Sequence, residues 1–307
     1  MGYRSRLVSL ARAAPLTACL LALLASLPLA CGDKASDRPP PGAVCRPAPE
    51  RGPGLWVAGS GTNLALTRAL VERWTSRHRE PRVVVPESIG TQGALRALRA
   101  GAIDIGLVSR PLTAAERGEG LVETRIAQVA FAPTVRADLA IESISSADLA
   151  QVFLGGRPPG WPVAVPIAPV MRELKDSGYV LAAQRLPDLG RALVAARRTE
   201  RWPICFTDQE MRDTLLGLDG AIGLLDVATP LLERLPLKAL AIDGVAATAD
   251  NVAAGRFPLV RQLSFVTRGE PAGAARQFIA FAQGPQVVEL FRAGELVRYE
   301  GQSEEGR

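Results

Sequence analysis

The sequence predicts an α/β fold, on three observations. Short apolar runs alternate with stretches whose apolar residues recur at helical spacing, and the alternation holds to the C-terminal end. Two glycine turns, Gly59-Ser60-Gly61-Thr62-Asn63 and Gly90-Thr91-Gln92-Gly93, each follow a strand-like run and open a helix-like run. Strand, helix, strand, helix, strand is the order of a parallel sheet, and both turns fall at the carboxyl ends of strands, where such sheets bind ligands. A helix N-terminus carries unpaired N–H groups and a partial positive charge, and small residues let an oxyanion approach both. Each turn is therefore a candidate anion cradle, and their repetition points to one anion held between two helix ends.

Taken in order, residues 1–30 hold Arg4, Arg6 and Arg12 and no acid, then an apolar stretch over 16–30 that ends in small residues before Cys31. This is the pattern of an export signal, too short to cross a bilayer comfortably; a single-span anchor or an ordinary cleaved signal are the alternatives. Residues 31–54 are rich in Pro, Gly and small polar residues, lack any hydrophobic period and read as a tether. Residues 55–58 form a strand and 64–74 a helix with Leu64, Ala65, Leu70, Val71 and Trp74 on one face. A strand at 82–86, a helix continuing over 95–100 and a strand at 103–108 follow. Next come a strand at 127–135 broken by Pro133, a helix at 143–153 capped by Ser145 or Ser146, and a strand at 163–170 that tolerates its prolines as an edge or a bend. Residues 208–216, 229–235 and 272–281 look helical, and 221–225, 237–242 and 259–267 extended. Residues 301–307 are a polar tail.

Composition narrows the function. The formal charge of +5 includes the three arginines of residues 1–30, whose removal leaves +2, which argues against general nucleic-acid binding. Lys34, Lys175 and Lys238 are the only lysines, so the positive charge is nearly all Arg, the better residue for bidentate oxyanion recognition. Four cysteines are present. Cys19 leaves with the signal; Cys45 and Cys205 can pair in an oxidising compartment or stay as two thiols, and sequence alone does not choose. No zinc spacing, metal cluster, Walker pattern or Ser-His-acid set is visible, so no catalytic residue, metal or cofactor is assigned. The single histidine, His78, lies in a charged helix end and reads as solvent-exposed. Trp56, Trp74, Trp161 and Trp202 read as packing groups.

Leu27-Pro28-Leu29-Ala30-Cys31 resembles the lipobox of bacterial lipoproteins, with Pro28 where Leu is usual, and makes Cys31 the lipid-bearing residue. The segment Ala102-Ile103-Asp104-Ile105-Gly106-Leu107-Val108-Ser109-Arg110-Pro111-Leu112 closely resembles the substrate-binding proteins of phosphate ABC transporters. The resemblance continues through 144–161, 219–223, 237–245, 251–258 and 271–294, almost everything after the tether. It implies a two-lobed type 2 periplasmic binding protein fold with a ligand cleft between lobes and two hinge crossings. Lobe one would comprise 55–130 and 239–300, lobe two 131–238, with crossings near 131–135 and 236–241.

Carried over by position, the resemblance implies ligand contacts from Ser60, Gly61 and Thr62, from Thr91 and Gln92, and from Ser109 and Arg110. Helix capping by Ser60 and Thr91, and pairing of Arg110 with an acid, are the structural alternatives. Asp104 reads as a structural hydrogen-bonding group. The second lobe should add Arg172, Ser177 and Gly178, although Arg172-Glu173-Leu174-Lys175-Asp176-Ser177-Gly178-Tyr179 has one extra residue in its spacing and Tyr179 where the family has Thr. Glu173 and Asp176 would place negative charge beside an anion unless paired or turned away. Some family members carry a carboxylate where Arg110 stands, to accept the proton that phosphate has and sulfate lacks; Arg110 can only donate. An acceptor would have to come from Asp104, Glu173, Asp176 or a backbone carbonyl.

The resulting expectation is a monomeric, exported, lipid-anchored receptor of the periplasm or cell envelope, handing phosphate or a related oxyanion to an ABC permease. It would contact the bilayer through acylated Cys31 and perform no chemistry. The alternative is a lipoprotein of the same fold that senses an anion or contacts a protein partner with a degenerate ligand site.

Overall fold

The computed structural model describes residues 52–78 and 80–299; the expected signal, Cys31, Cys45 and the tail over 301–307 lie outside the described residues. Strand β1 (Leu55–Gly59) runs through a 3-10 turn at Gly61–Asn63 into helix α1 (Leu64–Thr75), which buries Leu64, Leu66, Leu70 and Trp74 along one face. Strand β2 (Val83–Val84), helix α2 (Gly90–Arg99) and strand β3 (Ile105–Val108) follow, and α2 packs through Ala94, Leu95 and Leu98. β1 lies between β2 and β3 and is parallel to both. Asp104 has the expected structural role, its carboxylate accepting the Trp56 N–H at 2.8 Å.

Helix α3 (Ala114–Gly118) opens on a capping box between Thr113 and Glu116. It leads to β4 (Leu121–Arg136), sixteen residues long where nine were expected, and unbroken. Pro133 does not interrupt it because its carbonyl still accepts the Leu240 N–H at 2.7 Å, while its neighbours stay in register with a later strand. The first six residues escaped notice because their polar members, Glu123, Thr124 and Arg125, mask the alternation. Strand β5 (Ser143–Ile144) precedes helix α4 (Ser146–Phe153), whose cap is Ser145, with Oγ accepting the Asp148 N–H at 2.9 Å.

The strand expected over 163–170 is mostly loop. Pro162, Pro166 and Pro169 remove three ladder donors, Val165 turns back onto the Pro162 carbonyl, and Val163 is 90% exposed. Of that stretch only β6 (Ala168–Pro169) remains, and β7 (Met171–Arg172) follows just beyond it. Helices α5 (Ser177–Arg185) and α6 (Pro187–Thr199) follow; α6, with Pro187 in its first turn, was not foreseen. The chain continues through β8 (Ile204–Cys205), α7 (Asp208–Gly217), β9 (Ala221–Asp226), α8 (Ala228–Leu232), β10 (Leu237–Ala239) and β11 (Ala241–Ile242). It closes with α9 (Ala249–Ala253), β12 (Val260–Arg268), α10 (Gly273–Gln283), α11 (Val288–Ala293) and β13 (Val297–Arg298).

The main sheet has the order β2-β1-β3-β12-β4-β9-β6, with β10 and β13 also on β4. The parallel arrangement read from the first five elements holds for β2, β1 and β3. β12, returning from far along the chain, is antiparallel to β3 and β4, so the sheet is mixed. β4 pairs with β12 as far as Ala130 and with β9 from Phe131 onward. Among the described residues no helix is long and apolar enough to cross a membrane.

Candidate functional site

The carboxyl ends of β1 and β3 open onto a cleft of about 870 Å³, closed on the other side by the segment around α5 and the start of α7. Eight of the ten expected ligand residues line it: Ser60, Gly61, Thr91, Gln92, Ser109, Arg110, Arg172 and Ser177. Thr62 and Gly178 do not. Thr62 is buried with its hydroxyl toward Asp208 Oδ2 at 3.4 Å, and Gly178 packs beneath the Phe131 ring.

The cradle serines are not helix caps. Ser60 makes no side-chain cap; its Oγ shares a hydrogen with Ser109 Oγ at 2.8 Å. Thr91 lies inside the first turn of α2, and its Oγ1 accepts the Ser109 N–H at 3.5 Å. Ser109 thus ties the two cradles together. Arg110 follows its structural alternative: its Nη1 and Nη2 donate to the two carboxylate oxygens of Glu116 at 2.8 and 2.7 Å, a bidentate fork at the start of α3. That contact holds the Glu116 carboxyl down at about 2 against the opposing effect of burial, and raises the Arg110 guanidinium.

On the facing side, Arg172 is 7% exposed and donates through Nη2 to Asp176 Oδ2 at 2.9 Å. Asp176 is the cap of α5, with Oδ1 accepting the Gly178 and Tyr179 N–H groups at 2.8 and 3.3 Å. The acid expected to disturb the site is therefore paired, and it occupies N–H donors that an anion would otherwise meet at this helix end. Burial would raise its carboxyl, but Arg261 and Arg172 outweigh burial and hold it below the usual range. Tyr179, in the place of the family's Thr, is fully buried with its hydroxyl toward the Val170 carbonyl at 3.3 Å, and burial pushes its phenol up. A family model described as a PBP superfamily domain matches residues 46–286.

The chain belongs to the PBP superfamily. It is similar to the phosphate-binding protein PstS of Bacillus subtilis, at 24% identity over 285 residues, 87% of this chain and 88% of that one. Among solved structures it resembles one from Clostridium perfringens described as a phosphate ABC transporter substrate-binding protein with bound phosphate. That likeness has a TM-score of 0.67 and 18% identity, and covers 80% of this chain and all of the other. An ABC-type phosphate transport receptor from Vibrio cholerae follows at TM-score 0.54, 19% identity and coverage of 79% and 99%. A reduced form of OxyR from N. meningitidis shares the fold at TM-score 0.52 and 13% identity, over 80% of this chain and 98% of that one. The α/β type 2 periplasmic binding protein fold that the resemblance implies is the fold observed, with a mixed sheet in place of the parallel one expected.

Two residues of this PBP superfamily site went unread in the sequence. Arg261 on β12 is 2% exposed and reaches the cleft, where its Nη2 donates to Ser109 Oγ at 2.5 Å and Ser177 Oγ at 2.6 Å. The signal was there: Leu259, Arg261 and Leu263 occupy one phase of the strand alternation, and both leucines are buried. Asp208, in the first turn of α7, is 4% exposed and lies against Gly61, where an added methyl would sit 2.4 Å from Oδ2. An acid in a first turn reads as a partner of the helix dipole, which hid it. Behind it Asp226, fully buried at the end of β9, accepts the Thr229 N–H and hydroxyl at 2.8 and 2.9 Å. Burial first, and then Asp208, push its carboxyl up to about 7.

None of the four tryptophans lines the cleft. His78 is exposed and stacks on Trp74 at 3.8 Å between ring centroids, outside the site. Cys205 is a buried thiol at hydrogen-bond distance from Thr214; the expected pairing partner Cys45 lies outside the described residues.

Proposed function

We propose that this chain is a lipid-anchored, extracytoplasmic solute-binding protein that captures inorganic phosphate or a similar oxyanion and delivers it to an ABC permease. The observation that carries this reading is Arg172, whose Nε and Nη1 are buried in the cleft wall with no hydrogen-bond partner. Buried guanidinium donors left unpaired are destabilising, and a tetrahedral oxyanion satisfies several at once. Ser60, Ser109 and Ser177 converge on the same space, and the similarity to phosphate-binding relatives supports the choice of anion. Two lobes meeting where β4 changes partner at Ala130–Phe131 would close over the ligand, the closed form being selected by contacts that only it makes. Anchoring through Cys31 and hand-over to a permease belong to the same reading, as does binding without turnover.

Asp208 supplies the acceptor that Arg110 cannot. A carboxylate beside the first cradle can take the hydrogen bond from the proton phosphate carries, and meets sulfate only with repulsion. Calorimetric titration of the purified chain with phosphate and with sulfate, beside an Arg172→Ala variant, tests the reading. We expect one phosphate per chain, phosphate bound more tightly than sulfate, and a loss of at least about 100-fold in the variant, the equivalent of two charge-assisted hydrogen bonds. A second reading, a non-transport lipoprotein of the same fold that senses an anion or contacts a protein, is favoured by the Asp176 cap over the α5 end. Absence of phosphate binding by the unsubstituted chain would decide for it.

A further inference from the structure

Arg172 and Arg261 stand in the wall of one cleft, each with Nε and Nη1 buried and without a partner. A guanidinium keeps all five N–H donors, because it does not lose its proton at any pH the protein survives. Two such groups with four unpaired nitrogens, converging on the space reached by three serine hydroxyls, describe a site built for several acceptor oxygens. We propose that Arg261 is a second guanidinium contact of the bound oxyanion, so that the ligand sits between two arginines. This rests on the anion-binding reading above and extends it to a residue outside the resemblance.

The alternative is that Arg261 serves only as a counter-ion to buried acids. Its charge does help hold the Asp176 carboxyl down, but its hydrogen bonds go to serines and not to an acid. Asp176 directs its oxygens to Arg172, Gly178 and Tyr179, and Asp226 directs both of its own to Thr229. A structural ion pair would have engaged Nε or Nη1 of Arg261. Instead the guanidinium is held from other sides. Its Nη2 lies between Ser109 and Ser177, and its carbon is 5.1 Å from the centroid of the Phe131 ring. β12 fixes the backbone opposite Val129 of β4. The side chain is thereby pre-oriented in the cleft wall, with Nε and Nη1 buried and unpaired and little rotamer freedom left to lose. The ligand class that fits two fixed guanidiniums is a compact oxyanion of charge −2 with several acceptor oxygens, in preference to a lone carboxylate.

The test is phosphate titration of the whole chain at pH 8, using the unsubstituted protein, Arg261→Gln, Arg261→Lys and, as a comparison within the same cleft, Arg110→Gln. We expect the Gln variant at position 261 to lose about 10- to 100-fold in affinity, as for one or two charge-assisted hydrogen bonds. The Lys variant should recover part of that loss. Arg110→Gln should stay within about threefold, since Arg110 is committed to Glu116. The unsubstituted protein carries a second readout that does not depend on any variant folding: the Nε–H resonance of Arg261, followed by nitrogen-15 NMR, should shift on saturation with phosphate. Phosphate binding with an unmoved Arg261 resonance, or with unchanged affinity in a folded Arg261→Gln protein, overturns the inference and leaves the phosphate reading standing. No phosphate binding by the unsubstituted chain overturns both.

Discussion

Asp226→Asn should make this protein more stable at neutral and alkaline pH, by an amount that vanishes in acid. The Asp226 side chain is fully buried at the end of β9, and its carboxyl titrates at about 7 in the folded chain, burial being the first cause and Asp208 the second. In the unfolded chain an Asp titrates near about 3.9. Between these values the folded state holds a proton that the unfolded state has released, so folding stability falls as pH rises. The contribution is fully present below about pH 4 and lost once pH has passed about 7. A difference of roughly three pH units corresponds to about 4 kcal/mol at most. Asn keeps the acceptor for the Thr229 N–H, and its amide can donate to the Thr229 hydroxyl after that hydroxyl turns, so no partner is orphaned. For a chain of this size a gain of that order raises Tm by about 5 to 15 °C. The assay is thermal melting of both proteins at pH 4.5, 6, 7 and 8 in phosphate-free buffer, reading the difference between them so that every other titrating group cancels. A difference that does not grow with pH would refute the reasoning.

Two further outcomes follow from the same structure. Glu116→Gln breaks the bidentate pair with Arg110, whose hydrogen bonds hold the carboxyl at about 2, so the unsubstituted protein should lose stability as pH falls from about 4.5 toward 2 while the variant shows a flatter profile; parallel acid-unfolding curves would contradict this. Gly178→Ala places a methyl 2.6 Å from Cζ of the buried Phe131 ring, which should destabilise the fold by about 1 to 3 kcal/mol in urea unfolding; a midpoint equal to that of the parent would show that the ring gives way freely.

The first five elements, from β1 to β3, were legible because their signals are local: a strand, a small-residue turn and an amphipathic helix, repeated. The two cradles were legible for the same reason. Where the reading went astray, distant contacts decide. Pro133 looks like a strand breaker until Leu240, more than a hundred residues later, donates its N–H to the Pro133 carbonyl and supplies the partner the ladder needs. The prolines of 162–169 look tolerable at an edge, but nothing pairs with most of that stretch. Arg110 was assigned from its place in a motif, and a carboxylate six residues on claims it. Arg261 shows the converse: its inward phase is visible in the strand pattern, yet a lone Arg in an apolar run is ordinarily read as the exposed phase, and only the end of β3 and the start of α5 arriving beside it bring it hydrogen-bond partners.

The departure at 172–179 changes the electrostatics of the facing half-site without abolishing it. With one more residue between Arg172 and Ser177, the chain delivers a carboxylate to the N-terminus of α5, and Asp176 takes the N–H donors of Gly178 and Tyr179. A helix end that is already capped offers an incoming anion less of its dipole. The same carboxylate, however, holds Arg172 by Nη2 and leaves Nε and Nη1 buried and unpaired, so the guanidinium is fixed before any ligand arrives. An anion that binds there adds contacts to Arg172 and need not displace Asp176. Under the proposed function, recognition on this wall would rest on a pre-positioned guanidinium more than on backbone N–H groups at a helix end, which keeps directionality and charge while losing the steric selectivity of a close backbone cradle. On that reading, discrimination among oxyanions would come from the opposite wall, where Asp208 stands against Gly61 at the first cradle.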